Sequence, residues 1–113
     1  MDHFAGFDRL LRIMLGRNKT IYIYGPEGFL DNIEGKLSSY TWNLVQNFSN
    51  QLIIHATEIS ENTLISREYK CQNGFKAVSK PVTQLRDHQE IHQEPSLTIN
   101  AVILDHGIPS LGF

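Results

Sequence analysis

An α/β chain with a mixed sheet is the fold this sequence predicts, on three observations. Apolar residues recur at helical spacing in two early segments, residues 4–15 and 29–37. A β-branched and aromatic run, TIYIY at residues 20–24, lies between them. Later apolar runs come at hairpin spacing and end in Ala101-Val102-Ile103-Leu104, a run of buried-strand type.

The first segment places Phe4, Phe7, Leu10, Leu11, Met14 and Leu15 on one side and Asp8, Arg9 and Arg12 on the other, which predicts a helix over 4–15. Asp2 is placed to cap its first turn and Gly16 to close its last. The run at 20–24 predicts a strand buried on both faces. Gly25-Pro26-Glu27-Gly28 turns the chain, with Pro26 and Glu27 suited to a helix start. Phe29, Leu30, Ile33 and Leu37 form the stripe of a second helix, weakened by Gly35. Residues 40–45 (YTWNLV) predict a short third helix. Strands follow at 52–59 and 63–71. Asn73-Gly74 predicts a tight hairpin joining roughly 66–72 to 75–78. The polar stretch 80–95, with proline at both ends, predicts an exposed loop. Residues 98–104 predict one final long strand.

The chain has 113 residues, enough for one small domain. Hydrophobic residues at 41% against 19% charged mark it as a folding chain rather than a disordered one. A net charge of −2 supplies no basic field of the kind that announces a nucleic-acid binder. The single cysteine, Cys71, excludes a disulfide framework and a cysteine zinc site, which fits a reducing, cytoplasmic setting. No apolar run approaches a membrane span, so no membrane partner is expected. Leu111-Gly112-Phe113 closes the sequence on apolar residues and a helix opens it almost at once. This predicts a single incomplete domain over 1–113, an internal piece of a larger one.

Several groups carry chemistry. Asp105-His106 follows a strand and precedes Gly107 and Pro109, which puts a polar pair at the rim of a sheet. Asp2-His3 sets a carboxylate beside an imidazole at a helix start, where a helix cap and a surface histidine are the simpler reading. His88 and His92 would share one face of a helix, a zinc-holding spacing, but Gln89 stands where a zincin has Glu and a solvated loop is the simpler reading. His55 lies within a strand and reads as structural or exposed. The 25–28 turn resembles a phosphate loop only in its glycines. It lacks the Lys-Ser/Thr of a P-loop, so a tight strand-to-helix turn is the better reading. Arg9, Arg12, Arg17 and Lys19 cluster near the end of the first helix, where phosphate contact and dipole compensation explain them equally.

Three pieces in order carry a family resemblance. Asp2-His3-Phe4-Ala5-Gly6-Phe7-Asp8-Arg9-Leu10-Leu11 resembles the end of the His-x-His-x-Asp-His metal motif of the metallo-β-lactamase superfamily running into its helix. The strand ending in Gly25-Pro26 is similar to the strand and Gly-Pro turn of the ribonuclease Z family. Leu104-Asp105-His106-Gly107-Ile108-Pro109-Ser110-Leu111-Gly112-Phe113 resembles that family's third metal motif. The resemblance implies a partial metallo-β-lactamase-type αββα sandwich, a mixed sheet with two to three helices. It implies a two-zinc hydrolase that cleaves phosphodiesters, with a tRNA precursor as RNA partner and a complete protein that is often a homodimer. Carried over by position, Asp2 is a metal ligand and the group that orients or deprotonates the attacking water. His3 is a ligand of the same zinc, and His106 is a ligand of the other. The family's two histidines before Asp2 and its downstream Asp and His have no counterpart here. The chain alone is therefore expected neither to hold two zinc ions nor to hydrolyse phosphodiesters. Two other readings stay open: a non-catalytic α/β interaction module, and a superfamily hydrolase acting on a small phosphodiester or ester.

Overall fold

A parallel crossover organises the structure, a computed structural model that describes residues 6–42, 51–77, 80–86, 90–94, 97–105 and 108–113. Strand β1 (Lys19–Pro26) leads through helix α2 (Phe29–Ser38) into strand β2 (Leu52–Ile59), and the two strands pair in parallel with Ile21 opposite Ile54 and Tyr22 opposite His55. Parallel neighbours need such a crossover because no hairpin can join them. Strands β3 (Thr63–Lys70) and β4 (Val82–Leu85) then add antiparallel, giving one mixed sheet in the order β1-β2-β3-β4. Helix α1 (Phe7–Met14) precedes the crossover.

Both helices pack on one face of this sheet. Side chains alternate across a strand, so Leu52, Ile54 and Ala56 meet the helices with no exposed surface, joined by half-buried Ile21 and Ile23. Leu30, Ile33 and Leu37 of α2 and Phe7 and Leu11 of α1 cover them. Each full burial of an Ile or Leu side chain contributes about 1.5–3 kcal/mol. The intervening tyrosines point the other way, and Tyr22 is 49% exposed. The 20–24 strand is therefore covered by the helices on one face, while on the other Tyr24 is half-buried and Tyr22 stays exposed. Leu10, placed in the apolar stripe of the first helix, is 39% exposed. A two-turn helix lying on a sheet buries only the narrow stripe through Phe7 and Leu11.

Two glycines have work that other residues cannot do. A Cβ on Gly25 would lie 2.1 Å from the Phe29 ring, so only glycine lets that ring fold back over the strand end. Gly28 takes φ 88 at the N-terminus of α2, and the backbone N–H of Leu30 donates to the Glu58 carboxylate of β2 at 3.2 Å. Gly16 (φ 86) follows the last turn of α1, as expected of a closing glycine. Asp2, expected to cap that helix, lies outside the described residues; Gly6 sits at its N-cap and makes no side-chain cap bond.

The chain departs from expectation after β3. Asn73-Gly74 does turn it, but through a single 3₁₀ turn, Cys71–Asn73, followed by Gly74 at φ 64 and Phe75 at φ 57. Phe75 is 3% exposed and packs edge-on against Trp42 at 4.8 Å. That burial holds a bulky residue in the left-handed region and replaces the two-residue hairpin by one bridge, Tyr69 to Ala77. The 80–95 loop contains β4 and β5 (Glu90–Glu94). All of β4 is exposed, and an edge strand with no buried face shows no apolar alternation. The single strand at 98–104 is two. Leu97–Asn100 (β6) pairs with β5, Val102–Asp105 (β7) pairs with β8 (Pro109–Gly112), and buried Ala101 separates them. Nor is β7 the buried strand expected, since Ile103 and Leu104 are about two-fifths exposed on a two-stranded hairpin. Tyr40–Trp42 is not helical, and the rest of the expected third helix lies outside the described residues. No helix among the described residues is long and apolar enough to cross a membrane.

Candidate functional site

The residues expected to hold metal, Asp2, His3 and His106, lie outside the described residues. The elements that carry them are described. Gly6, Phe7 and Leu10, at the start of α1, share a cavity with the C-terminal end of β1. Strand β7 ends at Asp105, at the exit where a polar pair was expected, and its partner β8 lies against β1. Among the described residues no three His, Cys, Asp or Glu side chains are grouped to hold a metal ion.

The 25–28 turn is structural. The first-turn Leu30 N–H already donates to the Glu58 carboxylate, which occupies with negative charge the place a phosphate would take. Arg17 Nε donates to the Ile13 carbonyl at 3.1 Å, so this member of the basic cluster closes the C-terminus of α1. Between the helices, Asp8 accepts a hydrogen bond from the Tyr40 hydroxyl and an ion pair from Lys36 at 3.2 Å. The Tyr40 hydrogen bond, then Lys36, holds the Asp8 carboxyl below the usual range. Beneath α2, Glu34 accepts from Arg67 Nη1 at 2.6 Å and from the Tyr69 hydroxyl at 2.8 Å. Tyr69 is fully buried, and burial first, then the Glu34 bond, pushes its phenol well above the ordinary value.

A group that sequence reasoning missed lies on the opposite, helix-free face. Tyr22 stands between two imidazoles, with ring centroids 5.3 Å from His55 and 5.0 Å from His92, both tilted. Tyr24 Oη and His92 Nδ1 are 3.0 Å apart. His92 lies on β5, a strand, so the helical spacing that paired it with His88 does not apply; His88 is outside the described residues. His55 is half-buried, and its Nδ1 is closed to solvent with no hydrogen-bond partner among the described residues. Thr57 Oγ1 and Ser66 Oγ lie 3.0 Å apart on the same face. Between this face and β5 is a cleft of about 360 Å³. The signal was present in TIYIY: a period of two that sends both tyrosines one way and both isoleucines the other.

No family model matches the chain, and no solved structure matches it. It is similar to a ribonuclease Z of Deinococcus radiodurans, with 27% identity over 114 aligned residues that cover 100% of this chain and 34% of that protein. The chain thus spans about a third of the length of the curated relative it matches.

Proposed function

We propose that this chain is a piece of a metal-dependent hydrolase of the ribonuclease Z type, whose complete form cleaves phosphodiesters in the manner of tRNA 3′-processing enzymes. The observation that carries the reading is the similarity to a ribonuclease Z along the full length of this chain. The order helix, strand, Gly-Pro turn, helix, with a later strand running into Asp105-His106, supports it. In the complete protein Asp2 and His3 would bind one zinc, His106 the other, and Asp2 would orient the attacking water. Zinc lowers the pKa of bound water and neutralises phosphoryl oxygens. The partner would be a tRNA precursor, the setting cytoplasmic, and a homodimer its assembly.

Three ligands shared between two ions fall short of the three or four that one zinc site needs. The chain alone should therefore give no tight zinc isotherm and should not cut a tRNA precursor. A protein extended in frame should recover His-x-His before position 1 and a metal-binding Asp and His after position 113. It should cleave the precursor, and Asp2→Asn or His106→Ala should abolish that cleavage. A tight two-zinc isotherm from the chain alone, or flanking coding sequence without those ligands, overturns the reading.

A further inference from the structure

Asn73-Gly74 does more than turn the chain: it is the one place in the sequence where glycine follows asparagine. We infer that Asn73 is a site of spontaneous covalent modification, deamidation to aspartate or isoaspartate, and that the turn burying Phe75 gates it. The chemistry needs no metal, cofactor or partner. The Gly74 backbone nitrogen gives its proton to hydroxide and attacks the Asn73 side-chain carbonyl carbon. A C–N bond forms there, the bond to the side-chain nitrogen breaks, and ammonia leaves with a proton taken from water. The five-membered succinimide then takes up one water. Opening at one of its carbonyls gives aspartate. Opening at the other gives isoaspartate, in which the main chain runs through the side-chain carbon. Glycine favours the attack because no Cβ shields its nitrogen.

The fold supplies both the reactive pair and its restraint. Asn73 is exposed and ends the 3₁₀ turn Cys71–Asn73, so water reaches its amide. Gly74 takes φ 64, and a Cβ there would lie 3.3 Å from Trp42 Cβ. The turn therefore requires the residue that leaves Asn73 open to attack. While the turn is closed, the attack is blocked. The Gly74 N–H donates to the Cys71 carbonyl at 2.9 Å, which holds the proton that must leave. Helical ψ at Asn73 carries the Gly74 nitrogen away from the side-chain carbonyl. The Phe75 N–H donates to the Lys70 carbonyl at 3.0 Å, and the Phe75 ring, 3% exposed, sits edge-on against Trp42 at 4.8 Å. A bulky residue at φ 57 stays there only while that seat is filled. Reaction therefore proceeds through the open turn. The two products leave different marks. Aspartate keeps the main chain and adds a charge at an exposed position. Isoaspartate lengthens the main chain by one carbon between Cys71 and Phe75, and the turn then cannot keep both hydrogen bonds and the Phe75 seat.

Trp42 is the only tryptophan in the sequence, so its emission reports on this turn. The chain is aged at mildly alkaline pH, folded and in urea, with the Asn73 peptide followed by mass spectrometry and isoaspartate by its enzymatic methylation. Asn73 should react before any other asparagine, and at least about tenfold more slowly in the folded chain than in urea, the protection of a locally closed segment. Phe75→Leu, which removes the edge-to-face pair, should speed the reaction by about two- to tenfold. The isoaspartate form, separated chromatographically, should show red-shifted Trp42 emission. Asn73→Asp, with a normal main chain, should keep the emission of the unaged protein. Should Phe75→Leu not fold, urea concentrations below the unfolding of the wild-type chain must raise the rate progressively instead. Equal rates folded and in urea, an unchanged rate in folded Phe75→Leu, faster reaction at another asparagine, or unaltered emission from the isoaspartate form overturns the inference. Zinc and RNA take no part in these measurements, so their outcome is independent of the hydrolase reading.

Discussion

Gly25 and Gly35 show how one substitution has opposite consequences at two sites. At Gly25 an added methyl would fall 2.1 Å from Phe29 Cγ and 2.7 Å from its Cβ, atoms tied to the start of α2 that cannot swing aside. Gly25→Ala should cost about 2–3 kcal/mol in chemical denaturation, the usual scale of overpacking. At Gly35, within α2, a Cβ meets nothing within 4 Å. Gly35→Ala should therefore stabilise by about 0.5–1 kcal/mol, the difference between the two residues in a helix. Tyr69 adds a pH dependence. Its folded phenol titrates above the unfolded value of 10, because burial and Glu34 favour the protonated form. That contribution is complete below pH about 10 and is lost as pH rises beyond it. Tyr69→Phe should lower stability at neutral pH by about 1–2 kcal/mol and flatten the alkaline fall in Tm, measured by thermal unfolding from pH 8 to 11.

Secondary-structure elements were legible in the sequence where burial writes a pattern. The first helix, β1, α2 and β2 each carry a stripe or a run because each meets the core, and their expected bounds fall close to those observed. Strands β4 and β5 left no pattern: Val82 and Leu85 of β4 are exposed, at 61% and 86%, and polar residues serve an edge as well as apolar ones do. The break at Ala101 was hidden because alanine continues an apolar run as readily as it interrupts one. Its visible partner is Arg86, fifteen residues earlier. Arg86 donates to the Ala101 carbonyl and, from Nη1 at 3.0 Å, to the Ser60 carbonyl in the β2–β3 connection. Arg86→Ala should strand a buried carbonyl and cost about 1–3 kcal/mol. Hydrogen exchange should quicken in β6 and β7 while β1 and β2 keep their protection.

Across the whole molecule, the candidate site was the least legible part. Asp2, His3 and His106 were named through family resemblance, and these positions lie outside the described residues. The Tyr22 cluster was open to view only in half. The period of two in TIYIY gives the direction of the tyrosines, but His55 reaches Tyr22 through parallel register and His92 reaches Tyr24 across 68 positions. No local pattern encodes either. The same architecture divides stability unevenly. The four-stranded sheet shares one core with both helices, whereas β5–β6 and β7–β8 are two-stranded ladders, which are marginal when they stand alone. Amide exchange should accordingly fall into two classes, slow for β1, β2 and β3 and faster by about tenfold or more for β5 through β8. Uniform protection across all eight strands would show the hairpins to be part of the same cooperative unit.

Ala101 has a consequence for length rather than for composition. Four residues on one side of it belong to one ladder and four on the other side to a second, with no slack in between. Removing or adding a single residue there would turn the following strand over, exchanging the sides on which Val102, Ile103 and Leu104 lie. This stretch should accept many substitutions and no insertion or deletion. A reading-frame-preserving indel scan across 97–105 should return variants whose β5 to β8 amides lose protection while β1, β2 and β3 keep theirs.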